Sequence, residues 1–203
     1  MRLGILGGTF DPIHIGHLAA AHAAMECAHL DRVVFIPSAQ PPHRAMATAP
    51  AEDRLAMTRL AVEGEPRFEV SDIEVTRGGT SYTADTLRAL DRTHPEDELF
   101  LILGWDAASL FSTWHEPDRV ISLASIVVVG RPGTRTPESS EMAGAGLDPA
   151  RVVECFVETP DVSASELREL LAAGESVAGK VPLAVERYIT SKHLYRDNQS
   201  IGT

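Results

Sequence analysis

Long hydrophobic runs are missing from this 203-residue sequence: no 18-residue apolar stretch of the kind that spans a bilayer occurs. A charged-then-apolar leader is missing too, because Met1-Arg2 leads directly into a strand-like run, so a cytoplasmic protein is expected. Cysteine is scarce. Cys27 and Cys155 stand outside any Cys-x-x-Cys or Cys/His metal spacing, and both read as structural. Positive charge is also in short supply, with 18 Lys and Arg against 29 Asp and Glu and a formal net charge of −11. That balance argues against nonspecific nucleic-acid binding, since phosphate backbones are held by an excess of Lys and Arg. It does not exclude a small phosphorylated ligand in a pocket made locally positive by a few basic residues, helix N-termini and a divalent cation. No internal repeat is present.

What is present is a globular composition, 44% hydrophobic, on a chain long enough to bury a real core as a single domain over residues 1–203. Apolar, strand-like runs recur at 3–6, 33–37, 99–103, 126–129 and 152–157. Helical patterns lie at 18–30, 52–62, 83–92, 107–111, 165–173 and 183–193, the last with its flank to 195 reading as a packing helix. This alternation predicts an α/β fold, a Rossmann-like and mostly parallel sheet with helices on both faces. Residues 68–75 alternate and predict an edge or half-buried strand. Residues 132–149, rich in Gly, Pro, Ser and Thr, read as a mobile loop.

The stretch with the most chemistry follows the first strand: Gly7-Gly8-Thr9-Phe10-Asp11-Pro12-Ile13-His14-Ile15-Gly16-His17. Its glycines let backbone pass close to a phosphate, and histidines three apart at a helix start project to one side. Together they suggest a polyphosphate cradle. The plainer readings are a tight turn, or a weak metal spacing; a zinc protein on His14 and His17 has no further ligand at motif spacing.

This string resembles the nucleotidylyl transferase superfamily, marked by a first strand, a glycine turn and His-x-Gly-His. Four further segments, in order, resemble the bacterial nicotinate mononucleotide adenylyltransferases. In Pro41-Pro42-His43-Arg44, stiff prolines would hold His43 and Arg44 beyond a strand end. Arg44 replaces the family's lysine. Gly79-Thr80-Ser81-Tyr82-Thr83 leads into a helix; Thr80 or Ser81 as a cap would explain the residue types, whereas in the family the amides near Tyr82 and Thr83 seat a carboxylate. A carboxamide would offer donors to donors there. Gly104-Trp105-Asp106 ends a strand, with Asp106 a candidate helix cap or, by the resemblance, a ligand of nucleotide sugars. Trp114 is core by the usual fate of tryptophan; by resemblance it stacks on a cationic pyridine ring. Arg131 of Arg131-Pro132-Gly133 is given a phosphate or ribose role on the same ground.

The last motif, Ser163-Ala164-Ser165-Glu166-Leu167-Arg168, contains the Ser-x-x-Glu of a capping box. The superfamily's matching segment closes over the ATP triphosphate, implying contacts from Ser163 and Arg168. Ala164 and Ser165 depart from that pattern, and Glu166 adds negative charge beside a polyanion site.

The resemblance implies adenylyl transfer from ATP to nicotinate mononucleotide. His14, His17 and Arg168 are its catalytic groups, and Gly7, Gly8, Thr9, Phe10, Gly104, Asp106, Arg131 and Ser163 complete the ATP site. His43, Arg44, Tyr82, Thr83, Asp106 and Trp114 receive the acceptor. Mg²⁺ would be held mainly by phosphates, since no carboxylate cage is evident. The family's varied assembly admits a homo-oligomer. Rival readings are an adenylyltransferase for nicotinamide mononucleotide or phosphopantetheine, and a non-catalytic nucleotide sensor. A class I aminoacyl-tRNA synthetase, which shares His-Ile-Gly-His, is disfavoured by the short chain and by Ser191-Lys192 being only a fragment of its second motif.

Overall fold

In the computed structural model, residues 1–42, 47–130, 137–155 and 160–196 are described. Six parallel strands form one sheet: β1 (Arg2–Gly8), β2 (Arg32–Pro37), β3 (Phe68–Val70), β4 (Glu98–Gly104), β5 (Ser125–Val129) and β6 (Val152–Cys155). Their spatial order is β3-β2-β1-β4-β5-β6, the doubly wound Rossmann-like arrangement that the alternating pattern predicts. The helices are α1 (Ile15–Cys27), α2 (Ala51–Val62), α3 (Ile73–Arg77), α4 (Thr83–Thr93), α5 (Trp105–Ala108), α6 (Pro117–Leu123), α7 (Ser139–Gly144), α8 (Ala164–Ala172) and α9 (Leu183–Ser191).

The strands read as continuous apolar runs because both faces are buried. On β5, Val127 and Val129 join a core packed with α1, α2, α8 and α9, while Ile126 and Val128 join a second core packed with α4, α5, α6 and α7. Gly4 in β1 has a packing reason: a Cβ there would come within 2.7 Å of Leu30 Cδ1 and 3.1 Å of Ile102 Cδ1. Among the described residues no helix is long and apolar enough to cross a membrane.

Three expectations change. The strand expected over 68–75 ends at Val70, and α3 follows; Glu74, rather than its apolar neighbours, is the buried residue there, accepting a hydrogen bond from Thr86 Oγ1 at 2.6 Å. The helix expected over 107–111 divides into α5 and a 3-10 turn at Phe111–Thr113. Between them and β5 lies α6, which sequence periodicity did not indicate; it starts at Pro117, a residue suited to a first helical position. The described part of the 132–149 stretch carries α7 and runs up to a 3-10 turn at Pro149–Arg151.

The site follows from the topology. The chain turns outward in opposite directions from the central pair β1 and β4. Their pairing runs from Arg2–Glu98 to Ile5–Leu101 and stops, although β1 continues to Gly8 and β4 to Gly104. The carboxyl ends of the two strands therefore part, which is where open α/β sheets take ligands.

Candidate active site

A cavity of about 890 Å³ occupies that crevice. Gly7, Gly8, Thr9 and Phe10 line it from the end of β1, and Gly104 and Asp106 from the end of β4. A Cβ on Gly7 or Gly104 would meet no protein atom within 4 Å, so bare backbone faces the space. The turn after β1 is tight: Phe10 has φ of 48°, a left-handed value uncommon for a residue with a side chain. Its ring stands edge-on to His17, centroids 5.0 Å apart, and packs on Phe35.

His14 is the N-cap residue of α1, and His17 lies in the helix's first turn. The His14 backbone N–H donates to His17 Nδ1 at 3.3 Å, and the two ring centroids are 3.7 Å apart. A ring whose Nδ1 accepts a hydrogen bond carries its proton on Nε2 in the neutral form. His17 is thus set as an Nε2–H donor. Gly16 permits the stack, since a Cβ there would lie 3.0 Å from His14 Nδ1.

The start of α4 borders the same cavity through Tyr82 and Thr83. The expected alternative, a Thr80 or Ser81 cap, does not hold: Tyr82 is the N-cap and no side chain caps the helix. Ser81 Oγ instead accepts from the Ala39 amide at 2.9 Å, tying this loop to the end of β2. Behind it, burial raises the Glu74 carboxyl above the ordinary range, opposed by the Thr86 hydrogen bond. Trp114 lines the cavity with its ring packed 5.4 Å from Phe111, and Tyr82 stacks on His115 at 4.3 Å. Asp106 sits inside α5, whose N-cap is Gly104, so its expected capping role is replaced by a position on the cavity wall.

Across the cleft, Ser163 caps α8 by accepting from the Glu166 amide at 3.2 Å. The reciprocal half of the expected capping box is not made, because Glu166 pairs with Lys180 Nζ at 2.8 Å. Arg168 donates to Ser165 Oγ at 3.1 Å and to the Asp11 carbonyl at 2.8 Å. Every described residue of the expected site, His14, His17, Gly7, Gly8, Thr9, Phe10, Tyr82, Thr83, Gly104, Asp106, Trp114, Ser163 and Arg168, lines this one cavity. His43, Arg44 and Arg131 lie outside the described residues.

Sequence reading missed the braces. Asp11 accepts from the Thr48 and Ala49 amides at 2.7 and 3.0 Å. Arg54, only 1% exposed, donates to the carbonyls of Thr9, Ala39 and Ala49. Its burial lowers the guanidinium's pKa, while the nearby Asp11 charge opposes that. Helical spacing held a signal for Arg54, which shares a buried face with Thr58 and Ala61.

The cytidylyltransferase-like family profile matches residues 5–170. A Thermus thermophilus relative named as a nicotinate-nucleotide adenylyltransferase is 48% identical over 196 residues, covering 97% of this chain and 100% of the relative. The chain belongs to the nicotinate-nucleotide adenylyltransferase family. A second relative of that name, from a Geobacter species, is 42% identical over 214 residues, covering 97% and 99% of the two chains. In fold, the chain is similar to the Plasmodium falciparum nicotinic acid mononucleotide adenylyltransferase complexed with NaAD, with a TM-score of 0.75, 17% identity and coverage of 96% and 97%. Within a nicotinate-nucleotide adenylyltransferase, the motif departures at Ser165 and Glu166 have local partners: Ser165 holds Arg168, and Lys180 offsets Glu166.

Proposed function

We propose that this chain transfers the adenylyl group of ATP to nicotinate mononucleotide, forming nicotinate adenine dinucleotide and pyrophosphate in NAD biosynthesis. The observation that carries the reading is one cavity bordered at one end by the glycine turn and histidine pair, and at another by the uncapped start of α4 beside Trp114. A polyphosphate suits the first end, and an aromatic carboxylate the second.

The nucleophile is the acceptor's own phosphate, whose second pKa of about 6 leaves it mostly dianionic at neutral pH. No protein base or covalent nucleophile is required. The chain's task is to align the two substrates for in-line attack on the α-phosphorus and to stabilise the charge that develops. His17 offers Nε2–H, His14 packs beside it, and Gly7, Gly8, Thr9 and Phe10 supply the backbone cradle. Arg168 spends two of its five N–H donors on Ser165 and Asp11 and keeps the rest for the triphosphate. Ser163 stands at the N-terminus of α8 for the same polyanion, and Gly104 and Asp106 receive sugar hydroxyls. His43, Arg44 and Arg131 are assigned to the substrates' phosphates and sugars on the motif resemblance alone.

The donor set bears on the metal. Among the described residues no group of three or more His, Cys, Asp or Glu side chains is placed to hold an ion, and Asp11 is committed to Thr48 and Ala49. Mg²⁺ would be carried mainly by ATP phosphates and water, with Asp106 a carboxylate on the cavity wall after β4, and would supply charge neutralisation. Of the two features that leave a non-catalytic sensor open, Ala164 and Glu166, the second has its charge offset by Lys180.

The test is transfer of label from α-labelled ATP. The reading predicts label in a dinucleotide, with one pyrophosphate released per product. Label that stays in ATP in the presence of nicotinate mononucleotide and Mg²⁺ would contradict it.

A further inference from the structure

Beneath the cleft, the end of the described chain reaches the turn after β1. The Tyr195 hydroxyl donates to Asp11 Oδ1 at 2.8 Å, joining residues 184 apart in sequence, with Tyr195 8% and Asp11 4% exposed. The same carboxylate oxygen accepts from the Ala49 amide, and Oδ2 accepts from the Thr48 amide. Arg168 Nη1 donates to the Asp11 backbone carbonyl at 2.8 Å, while standing 3.9 Å from Oδ2. One carboxylate therefore joins the β1 turn, residues 48–49, the α8 arginine and the C-terminal segment.

The chain leaves α9 through a left-handed turn at His193, closed by the Leu194 amide donating to the Ile189 carbonyl at 3.1 Å, before it reaches Tyr195. His193 and Tyr195 have φ of 53° and 63°, left-handed values that disfavour residues with a side chain. Packing alone would be met by a phenylalanine, because the ring belongs to the core shared by α1, α2, α8 and α9. The hydroxyl is the part that packing leaves unexplained. Burial next to Asp11 pushes the phenol well above its ordinary range, so it stays an O–H donor.

We propose that Tyr195 is a positioning residue: its hydroxyl holds the Asp11 carboxylate away from Arg168, leaving the guanidinium anchored on the Asp11 carbonyl and Ser165 and open to the triphosphate. Without that donor, Oδ1 keeps only the Ala49 amide, and the less satisfied carboxylate draws the guanidinium 3.9 Å from Oδ2 closer, at the expense of the donors it turns to the triphosphate. The inference rests on the adenylyl-transfer reading of this cleft.

The test compares Tyr195→Phe, Arg168→Ala and the double variant in pyrophosphate release with nicotinate mononucleotide. Tyr195→Phe keeps the ring and is expected to lower kcat by roughly 10- to 100-fold, the scale of a displaced positioning group, with KM for the acceptor unchanged. In the Arg168→Ala background the same substitution has no further effect on kcat, because the group it positions is gone. Multiplicative losses in the double variant would overturn the proposal. A wild-type protein that turns over no acceptor would instead defeat the functional reading. The positioning claim is then read from the Arg168 guanidinium ¹⁵N–¹H resonances, assigned by their loss in Arg168→Ala. They move in Tyr195→Phe if the proposal holds, and unchanged resonances would refute it.

Discussion

The backbone amide of His14 donates to Nδ1 of His17 at 3.3 Å, and the two imidazoles lie 3.7 Å apart at the first turn of α1. This one bond sets which nitrogen of His17 carries a proton. It turns a pair of histidines at ordinary helical spacing into a directed donor at the edge of a glycine-lined crevice.

His17→Ala should therefore lower kcat by roughly 10²- to 10³-fold, the scale for losing one donor to a developing oxyanion. Steady-state kinetics with both substrates saturating checks this. A kcat equal to that of the wild type would remove His17 from the mechanism.

The Glu166–Lys180 pair is exposed, so it adds little to stability, about 0 to 1 kcal/mol. Its effect on the polyanion site is the larger one. Lys180→Ala uncovers the Glu166 charge beside Ser163 and Arg168, and KM for ATP should rise several-fold. Adding Glu166→Gln to that variant should bring KM back. If Lys180→Ala leaves KM unaltered, the pair does not shield the site.

Much of this was legible from the residues. Apolar runs bounded by turn residues gave five of the six strands, and the helix starts at Thr83 and Leu183 were readable to the residue. Short elements were less legible. α3 carries its buried group as a glutamate, and α6 spans only Pro117–Leu123, too short for a helical period to emerge. Local motifs named many of the cavity-lining residues, since most of these sit at a strand end or helix start, whereas Trp114 after a 3-10 turn and Arg168 inside α8 were legible only through the family resemblance. Nothing local reveals Asp11–Tyr195 or the Arg54 bonds to the Thr9 and Ala39 carbonyls, because those bonds join segments that only the folded chain brings together.

Glu74 makes stability depend on pH. Burial raises its carboxyl's pKa in the folded chain, so the fold favours the protonated form. That contribution is fully present below the unfolded carboxylate value of about 4.3 and is lost as pH rises through the raised folded value. Arg77, Thr86 and Ser81 are the polar groups that temper the shift. Glu74→Gln keeps an acceptor for Thr86 without the charge, so it should be more stable than the wild type at pH 8, with the gap closing toward pH 4. Thermal midpoints across that range provide the check. A difference independent of pH would show that burial does not favour the protonated form of Glu74.

The central claim is that one cavity joins a polyphosphate cradle to a seat for an aromatic carboxylate. The most direct test is the ratio of kcat/KM for nicotinate mononucleotide to that for nicotinamide mononucleotide, with ATP and Mg²⁺ held constant. The two acceptors differ only in bearing a carboxylate or a carboxamide, the group that the proposed seat at Tyr82 and Thr83 would receive. A donor-lined seat predicts a preference for the acid of at least about 10²-fold, because the amide would leave buried donors facing donors. Equal use of the two acceptors would contradict the seat at the start of α4.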